Sequence, residues 1–258
     1  MSILLSRRRF LGLSAVGTSA LFLNGCDRLT QNEDVQRVLE KAETLTETAQ
    51  RTLLPRGALA REYTEADLSP VFKVNGTSAP DGEEYARLMA GNFADWRLVV
   101  DGLVRQPLSL SLTDLKRLPS RTQITRHDCV EGWSAIGKWT GVPLGLLLQS
   151  AGLLPNARYI VFYCADDLGA TLDGTGRYYE SLDLVDAFHP QTILAYGMNG
   201  VDLPVGHGAP LRLRVERQLG YKHAKYLMRI QVTDSFAAIA GGKGGFWEDL
   251  GYEWYAGI

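Results

Sequence analysis

Cys129 lies in the stretch Arg126-His127-Asp128-Cys129-Val130-Glu131-Gly132-Trp133-Ser134, and Lys138-Trp139-Thr140-Gly141-Val142-Pro143-Leu144 follows closely. A deprotonated thiol is a nucleophile and a soft metal ligand. A structural cysteine needs none of this polar and aromatic dressing, which points to a metal ligand. The competing reading is a disulfide. The chain has three cysteines, Cys26, Cys129 and Cys164. With Cys26 modified, an exported protein often pairs the remaining two. On cysteine count alone, a Cys129–Cys164 bridge is favoured.

Two further stretches offer a different chemistry. They are His207-Gly208-Ala209-Pro210-Leu211-Arg212 and Gly220-Tyr221-Lys222-His223-Ala224-Lys225. From His207 to Lys225, Arg212, Arg214, Arg217, Lys222 and Lys225 stand against one acid, Glu216, in a chain of formal charge −2. That predicts a local cationic patch. Arginine forks fit phosphate oxygens, and glycines let backbone N–H groups approach an anion. No Gly-x-Gly-x-x-Gly or Walker loop occurs, so the usual nucleotide-binding fingerprints are excluded. The near-neutral overall charge gives no reason to expect a nucleic-acid partner.

These side chains need a scaffold to bring them together. The expected elements are strands at Arg97–Val100 and Leu103-Val104 joined by a tight Asp101-Gly102 turn, and a helix from Ser111 or Thr113 to Leu118, stopped by Pro119. A strand Gln123–Arg126 leads into the Cys129 loop. Thr140-Gly141-Val142-Pro143 opens a helix that Gly152 ends. Tyr159–Cys164 reads as a buried strand and Ser181–Phe188 as a short helix. Thr192–Tyr196, Leu211–Val215 and Tyr226–Val232 read as strands. Strands and helices mix without βαβ regularity, so the fold class is α+β with mixed sheets. The globular part is expected to start near Trp96, after turn signals at Asn75-Gly76 and Pro80-Asp81-Gly82.

The start of the chain bears on compartment. Ser6-Arg7-Arg8-Arg9-Phe10-Leu11 precedes a short apolar run ending at Leu23, the pattern of a twin-arginine export signal. Leu23-Asn24-Gly25-Cys26 resembles a bacterial lipoprotein box, with Asn24 a departure from the usual small residue. The expected organisation is a twin-arginine signal peptide with lipoprotein box over 1–25, a tether or spacer helix over 26–60 and a catalytic domain over 61–258. Val35, Val38, Ala42, Leu45 and Ala49 mark the helix, and Asn32 or Asp34 could cap it. Lipidated Cys26 would hold a periplasmic protein at the inner membrane, and Asp27 resembles the retention signal for that membrane.

Cys129-Val-Glu-Gly-Trp with Trp139-Thr-Gly-Val-Pro, and Gly-Ala-Pro-Leu-Arg with its following Gly-Tyr-Lys, resemble the molybdopterin-binding domain of the sulfite oxidase family. The likeness runs from about Asn92 to Val232. It implies a sulfite-oxidase-type mixed-sheet fold and a Mo-molybdopterin cofactor, with Cys129 ligating the metal and acting as the catalytic residue. By the same resemblance His207, Arg212 and Lys225 grip the pterin and its phosphate. Asn92 and Phe93, Cys164, and the backbone from 220 to 225 with His223 and Ala224, contact the cofactor. The implied reaction is two-electron oxygen-atom transfer on a small molecule, such as a sulfoxide or related S- or N-oxide.

Departures narrow this picture. Sulfite oxidases carry an arginine after the cysteine, where Val130-Glu131-Gly132-Trp133 stands here. The pattern is nearer to periplasmic methionine-sulfoxide reductase catalytic subunits, although those have asparagine in place of His207 and threonine in place of Cys164. Oxidation of a sulfur oxyanion such as sulfite is the alternative activity. A non-enzymatic exported lipoprotein with the Cys129–Cys164 disulfide is the alternative class. Cys-x-x-Cys-His is absent, so electrons are expected from a separate partner, a membrane or c-type cytochrome. The chain ends at Ile258, short of the sandwich domain through which sulfite oxidases dimerise, so a monomer is expected.

Overall fold

The computed structural model describes residues 32–169 and 176–258. The expected signal peptide, its lipoprotein box and Cys26 lie outside the described residues. The chain divides into two units, the first ending at Leu53 and the second running from Leu54 to Ile258. In the first, helix α1 spans Glu33–Leu53. Asn32 caps it, its Oδ1 accepting from the N–H of Asp34 at 2.8 Å, which satisfies a donor the helix start leaves free. The helix stops ahead of Pro55, whose ring disfavours a helical residue before it. Leu45, on the expected stripe, is exposed.

The second unit begins well before Trp96. Tyr63 donates its N–H to the carbonyl of Ile124, and Ser69 to that of Ile136. Helix α2, Glu83–Ala90, buries Tyr85 and Leu88. This segment was not legible as part of the globular unit because it carries little apolar periodicity. It attaches through backbone hydrogen bonds and a few large side chains.

Among the described residues ten strands form two sheets. β1 (Arg97–Gly102), β2 (Leu108–Ser111), β5 (Tyr159–Asp167), β6 (Arg177–Asp183) and β10 (Leu227–Thr233) make the first, in the order β2-β1-β10-β5-β6. β1 and β10 run parallel and the other pairs antiparallel. β3 (Arg121–Asp128), β4 (Ser134–Pro143), β7 (Ile193–Met198) and β8 (Val201–Asp202) make the second, with β9 (Arg212–Arg214) on β7. The α+β class with mixed sheets is therefore observed. Consecutive Ile160, Val161 and Phe162 on β5 are all fully buried, as a strand covered on both faces must be. Helix α4, Leu144–Ala151, adds Leu144, Leu147 and Leu148 to the same core. A smaller core gathers Trp139, Ile193, Ala195 and Met198 with Phe72 against it.

Several expected elements differ. Asp101-Gly102 is no hairpin turn: both residues belong to β1, where Gly102 faces Val232 of β10. A Cβ on Gly102 would come within 2.2 Å of the Val232 carbonyl, so close approach of another strand explains the glycine. Residues 134–143 are not a loop opening a helix but β4, paired on both sides. Its burial alternates, and the Ala135, Gly137, Trp139, Gly141 spacing carries that period of two. The helix starts only at Leu144. Of Ser181–Phe188 the first three residues end β6, and Asp183 caps the single turn α5, Leu184–Ala187. Ser111 does cap α3, Leu112–Arg117, in a reciprocal box with Asp114.

The expected cationic patch is largely neutralised. Arg214 pairs with Glu216 at 2.6 Å and Arg217 with Asp186 at 3.2 Å. Lys222 lies between Glu180 and Glu248, both buried, the second in the C-terminal turn α6, Phe246–Asp249. Sequence adjacency showed one acid, whereas the fold brings three more from elsewhere. Removing one member of a buried charge pair strands the other. Lys222→Ala should therefore lower the free energy of unfolding by about 3–5 kcal/mol at neutral pH. Burial and Glu248 already hold the Glu180 carboxyl well above its usual range. A proton bound in the native state but not the unfolded one stabilises at low pH and ceases to as pH rises. The deficit in urea unfolding should thus shrink as the pH is lowered, and a pH-independent deficit would contradict this account.

Candidate functional site

Cys129 opens the tight connection between β3 and β4. Its N–H donates to the Trp133 carbonyl at 3.0 Å and its carbonyl accepts from Gly132 at 3.0 Å. Gly132 takes φ +83°, a left-handed turn position that glycine enters without strain. The thiol is free and buried, with its sulfur 3.8 Å from Asn75 Oδ1. Burial pushes its pKa up, opposed in part by the Glu131 backbone N–H. Glu131 is itself occupied. One of its oxygens accepts from Trp133 Nε1 at 2.9 Å and from Lys73 Nζ at 3.0 Å. Those partners hold its carboxyl below the usual range.

The sulfur borders a cavity of about 170 Å³. One wall is Asn75-Gly76-Thr77. Another is Asp166 and Tyr178 from β5 and β6. The floor comes from Arg212 and from Gly220, Tyr221, His223 and Lys225, and Trp247 and Tyr252 stand on the C-terminal side. The wall residues are packed to fine tolerance. A Cβ on Gly220 would sit 2.5 Å from His127 Nε2, so only glycine lets that loop close over the buried imidazole. Gly208, at φ +110°, lies 3.0–3.1 Å by the same measure from the Cβ atoms of Lys225 and Arg212. It brings these two cations onto one site.

Arg212 and Lys225 have no carboxylate partner among the described residues. Arg212 donates to the carbonyls of His207 at 2.9 Å and His223 at 3.3 Å, while its Nε is buried without a partner. It also lies 5.0 Å from the Trp139 ring centroid. Burial, then Arg214, pulls its pKa down to about 9. Lys225 donates to the carbonyls of Thr77 and Gly206. Burial, then Arg212, pulls it down to about 7. Two histidines face the same charges and are held neutral. Burial and Arg214 keep His127 and His223 well below their usual value, and their rings meet edge to face at 5.0 Å. Depressed bases packed together with no ion-paired acid are the electrostatic signature of an anion site.

The residues singled out from sequence divide. Cys129, Arg212, His223 and Lys225 line this cavity, whereas Asn92, Phe93, Cys164, His207 and Ala224 do not. Asn92 and Phe93 adopt φ +48° and +57° and end α2, Phe93 donating to the Leu88 carbonyl. Asparagine tolerates that left-handed conformation, which accounts for its place there. Cys164 is a core residue of β5, and burial raises its thiol far above the usual range. The disulfide alternative fails, since both cysteines are free. His207 contributes its carbonyl to Arg212, while its ring meets Phe72 at 5.6 Å. Ala224 accepts from Leu213 and pins the loop to β9. Sequence reasoning passed over Asn75, Thr77, Asp166 and Tyr178. Asn75-Gly76 signalled only a turn, and a lone aspartate in a strand signals nothing. The aromatic crowding after Phe246 was the available hint of Trp247 and Tyr252.

Among the described residues no group of three or more His, Cys, Asp or Glu side chains gathers to hold a bare metal ion. The donor set instead suits a group that brings its own ligands. Comparison with known proteins agrees. The family described as oxidoreductase molybdopterin binding domain matches residues 86–238. An Azospira oryzae protein, named provisionally as protein-methionine-sulfoxide reductase subunit YedZ1, is 38% identical over 98% of this chain and 88% of its own. The protein-methionine-sulfoxide reductase catalytic subunit MsrP of Xanthomonas axonopodis pv. citri is 32% identical over 96% and 74% respectively. The sulfane dehydrogenase SoxCD of Paracoccus pantotrophus aligns over 55% of this chain and 39% of its own, at 26% identity and TM-score 0.49.

If the cavity lacks a counter-anion, inorganic phosphate should raise the thermal unfolding midpoint of the cofactor-free protein, and Lys225→Met should abolish most of the rise. A base whose native pKa is depressed costs the fold stability below that value and recovers it as pH climbs to the unfolded value. Between about pH 7 and pH 10.5 the cofactor-free protein should gain stability through Lys225. Lys225→Met should lack that gain and unfold no earlier than the parent at pH 6. Calorimetry at pH 6, 8 and 10 reads both effects.

Proposed function

The chain belongs to the molybdopterin-binding oxidoreductase family, and from that membership we propose that it is the catalytic subunit of a system reducing sulfoxides, methionine sulfoxide foremost, outside the cytoplasm. It is an enzyme, and its cofactor is Mo-molybdopterin. The residues fit that group. A buried free thiol stands where a single protein sulfur can join a metal already held by a dithiolene. Buried Arg212 and Lys225, short of counter-charge, suit a terminal phosphate. The unpartnered Arg212 Nε and His223 Nδ1 are hydrogen-bonding capacity the protein leaves unspent. When bound, the cofactor supplies a metal that cycles by two electrons and exchanges an oxygen atom with substrate.

The chain's own residues do the rest. Cys129 offers the sulfur, and the backbone of its turn fixes where that sulfur points. Asn75 sits against it. Exposed Val130, with Trp247 and Tyr252, forms an apolar margin that suits a neutral thioether or sulfoxide better than a hydrated anion. Glu131, held ionised by Lys73 and Trp133, repels anions approaching the same mouth. That charge favours sulfoxide over the alternative substrate, a sulfur oxyanion such as sulfite. Overall, the sulfoxide takes up two electrons and two protons and leaves as sulfide and water.

The remaining assignments rest on sequence pattern and relatives. We assign residues 1–25 as a twin-arginine signal with a lipoprotein box, and 26–60 as a tether carrying helix α1. Residues 61–258 form the catalytic domain, although its compact unit already begins at Leu54. Export of a prefolded holoprotein to the periplasm, anchored at the inner membrane through lipidated Cys26, fits a signal of this kind. The relatives carry the word subunit in their names, which supports a separate electron-carrying partner, a membrane or c-type cytochrome.

The observation that carries the proposal is the Cys129 thiol opening onto a cavity whose two buried cations lack acids. Protein purified after native export should contain molybdenum and pterin, and should convert methionine sulfoxide to methionine with a reduced artificial donor. Cys129→Ala should keep its far-ultraviolet dichroism and lose both turnover and the Mo(V) electron-spin signal. Unchanged turnover in that variant would overturn the ligand role. Sulfite oxidation without sulfoxide reduction would reverse the choice of substrate.

A further inference from the structure

Trp139 is an unfavourable choice for the position it fills. It is fully buried on β4, in the small core with Ile193, Ala195 and Met198. Its ring Nε1 is buried with no partner. Phe72 meets the indole edge to face at 5.4 Å, and an aromatic ring is at best a weak acceptor. The chain also makes room for the ring, since a Cβ on Gly137 would come within 3.2 Å of that nitrogen. A phenylalanine or a leucine would fill the same core without burying an unsatisfied N–H. Packing alone therefore does not account for a tryptophan here.

The indole has what an aliphatic side chain lacks, a face of negative potential. Two guanidiniums share it: Arg214 Cζ lies 4.4 Å from the ring centroid and Arg212 Cζ 5.0 Å. Their situations differ. Arg214 makes a two-point pair with Glu216, through Nε at 3.0 Å and Nη2 at 2.6 Å. Arg212, equally buried, has only the carbonyls of His207 and His223, and its Nε has no partner. Glu216 lies close enough to raise the pKa of Arg212. If Arg212 turned to that carboxylate it would be neutralised and lost to the cavity. An acid at position 139 would neutralise it too, and an aliphatic side chain would leave its charge bare. The indole stabilises the cation while taking up none of its N–H groups. We propose that Trp139 is a positioning residue whose π face stands in for a counter-acid and holds Arg212 as an unpaired cation on the cavity. Trp139 itself is not among the residues lining the cavity, so it acts through Arg212. The inference rests on the anion-site reading of the cavity and adds what keeps that site charged.

The test uses the full chain free of cofactor, with inorganic phosphate as the probe and titration calorimetry as the readout. Trp139→Leu should bind phosphate roughly thirtyfold more weakly than the parent, the loss to which a desolvated cation–π contact of about 2 kcal/mol converts. Trp139→Phe also shortens the side chain but keeps a π face, and should recover most of the affinity. Fluorinated tryptophans placed at 139 by stop-codon suppression keep the size of the indole and weaken its face. Each added fluorine should weaken phosphate binding further, and this series carries the test if the leucine variant does not fold. Parent-like affinity across the fluorinated series would overturn the proposal. So would equal losses in the Phe and Leu variants, which would mark the ring as filling only. A parent protein that binds no phosphate would instead remove the anion site, and this inference with it.

Discussion

The site depends on an imbalance of buried charge. Burying a cation without an acid costs several kcal/mol, and this fold does it twice side by side. It satisfies Arg212 with backbone carbonyls and Lys225 with backbone carbonyls and the Tyr226 hydroxyl. A few residues away it neutralises Arg214 with neighbouring Glu216, and Arg217 and Lys222 with Asp186, Glu180 and Glu248 drawn from elsewhere in the chain. Both solutions were open to every cation in this stretch. The difference between them separates scaffold from site, and the residues left in debt are the ones that border the cavity.

The two sheets divide the labour. The Cys129 turn is a hairpin of the second sheet, so the thiol is placed by β3 and β4 and by the aromatic contacts of Phe72 with Trp133, Trp139 and His127. Asp166 and Tyr178 come from the first sheet. The segment between β9 and β10 joins one sheet to the other and carries Gly220, His223 and Lys225. Cys129 and Arg212 thus belong to the second sheet, Asp166 and Tyr178 to the first, and the cavity is the gap where those layers meet. Gly208 and Gly220 mark tight approaches beside the cavity, the first also by its left-handed backbone.

Much of this was legible in the sequence, for identifiable reasons. The Cys129 dressing, Arg212 and Lys225 stood out because their chemistry is local: soft donor, fork and ammonium near glycines. The β5, β7 and β10 strands were legible because apolar runs of that length have few other uses. The β4 strand was misread because proline and two glycines near its end read as helix punctuation, whereas its alternation was the stronger signal. The charge state of the patch was illegible, since Glu180, Asp186 and Glu248 reach it only through tertiary packing. The helix-ending role of Asn92 was illegible for a related reason. An asparagine beside a phenylalanine can cap, turn or bind, and only the backbone conformation shows that it ends a helix.

Lys222 deserves a last consideration as a knot tied between distant stretches. Its ammonium joins the loop of the cavity floor to β6 and to α6, and α6 carries Trp247 while Tyr252 follows directly after it. These two aromatics come after every other lining residue in order of synthesis. Loosening that one ammonium would therefore release the floor and the aromatic side of the cavity together.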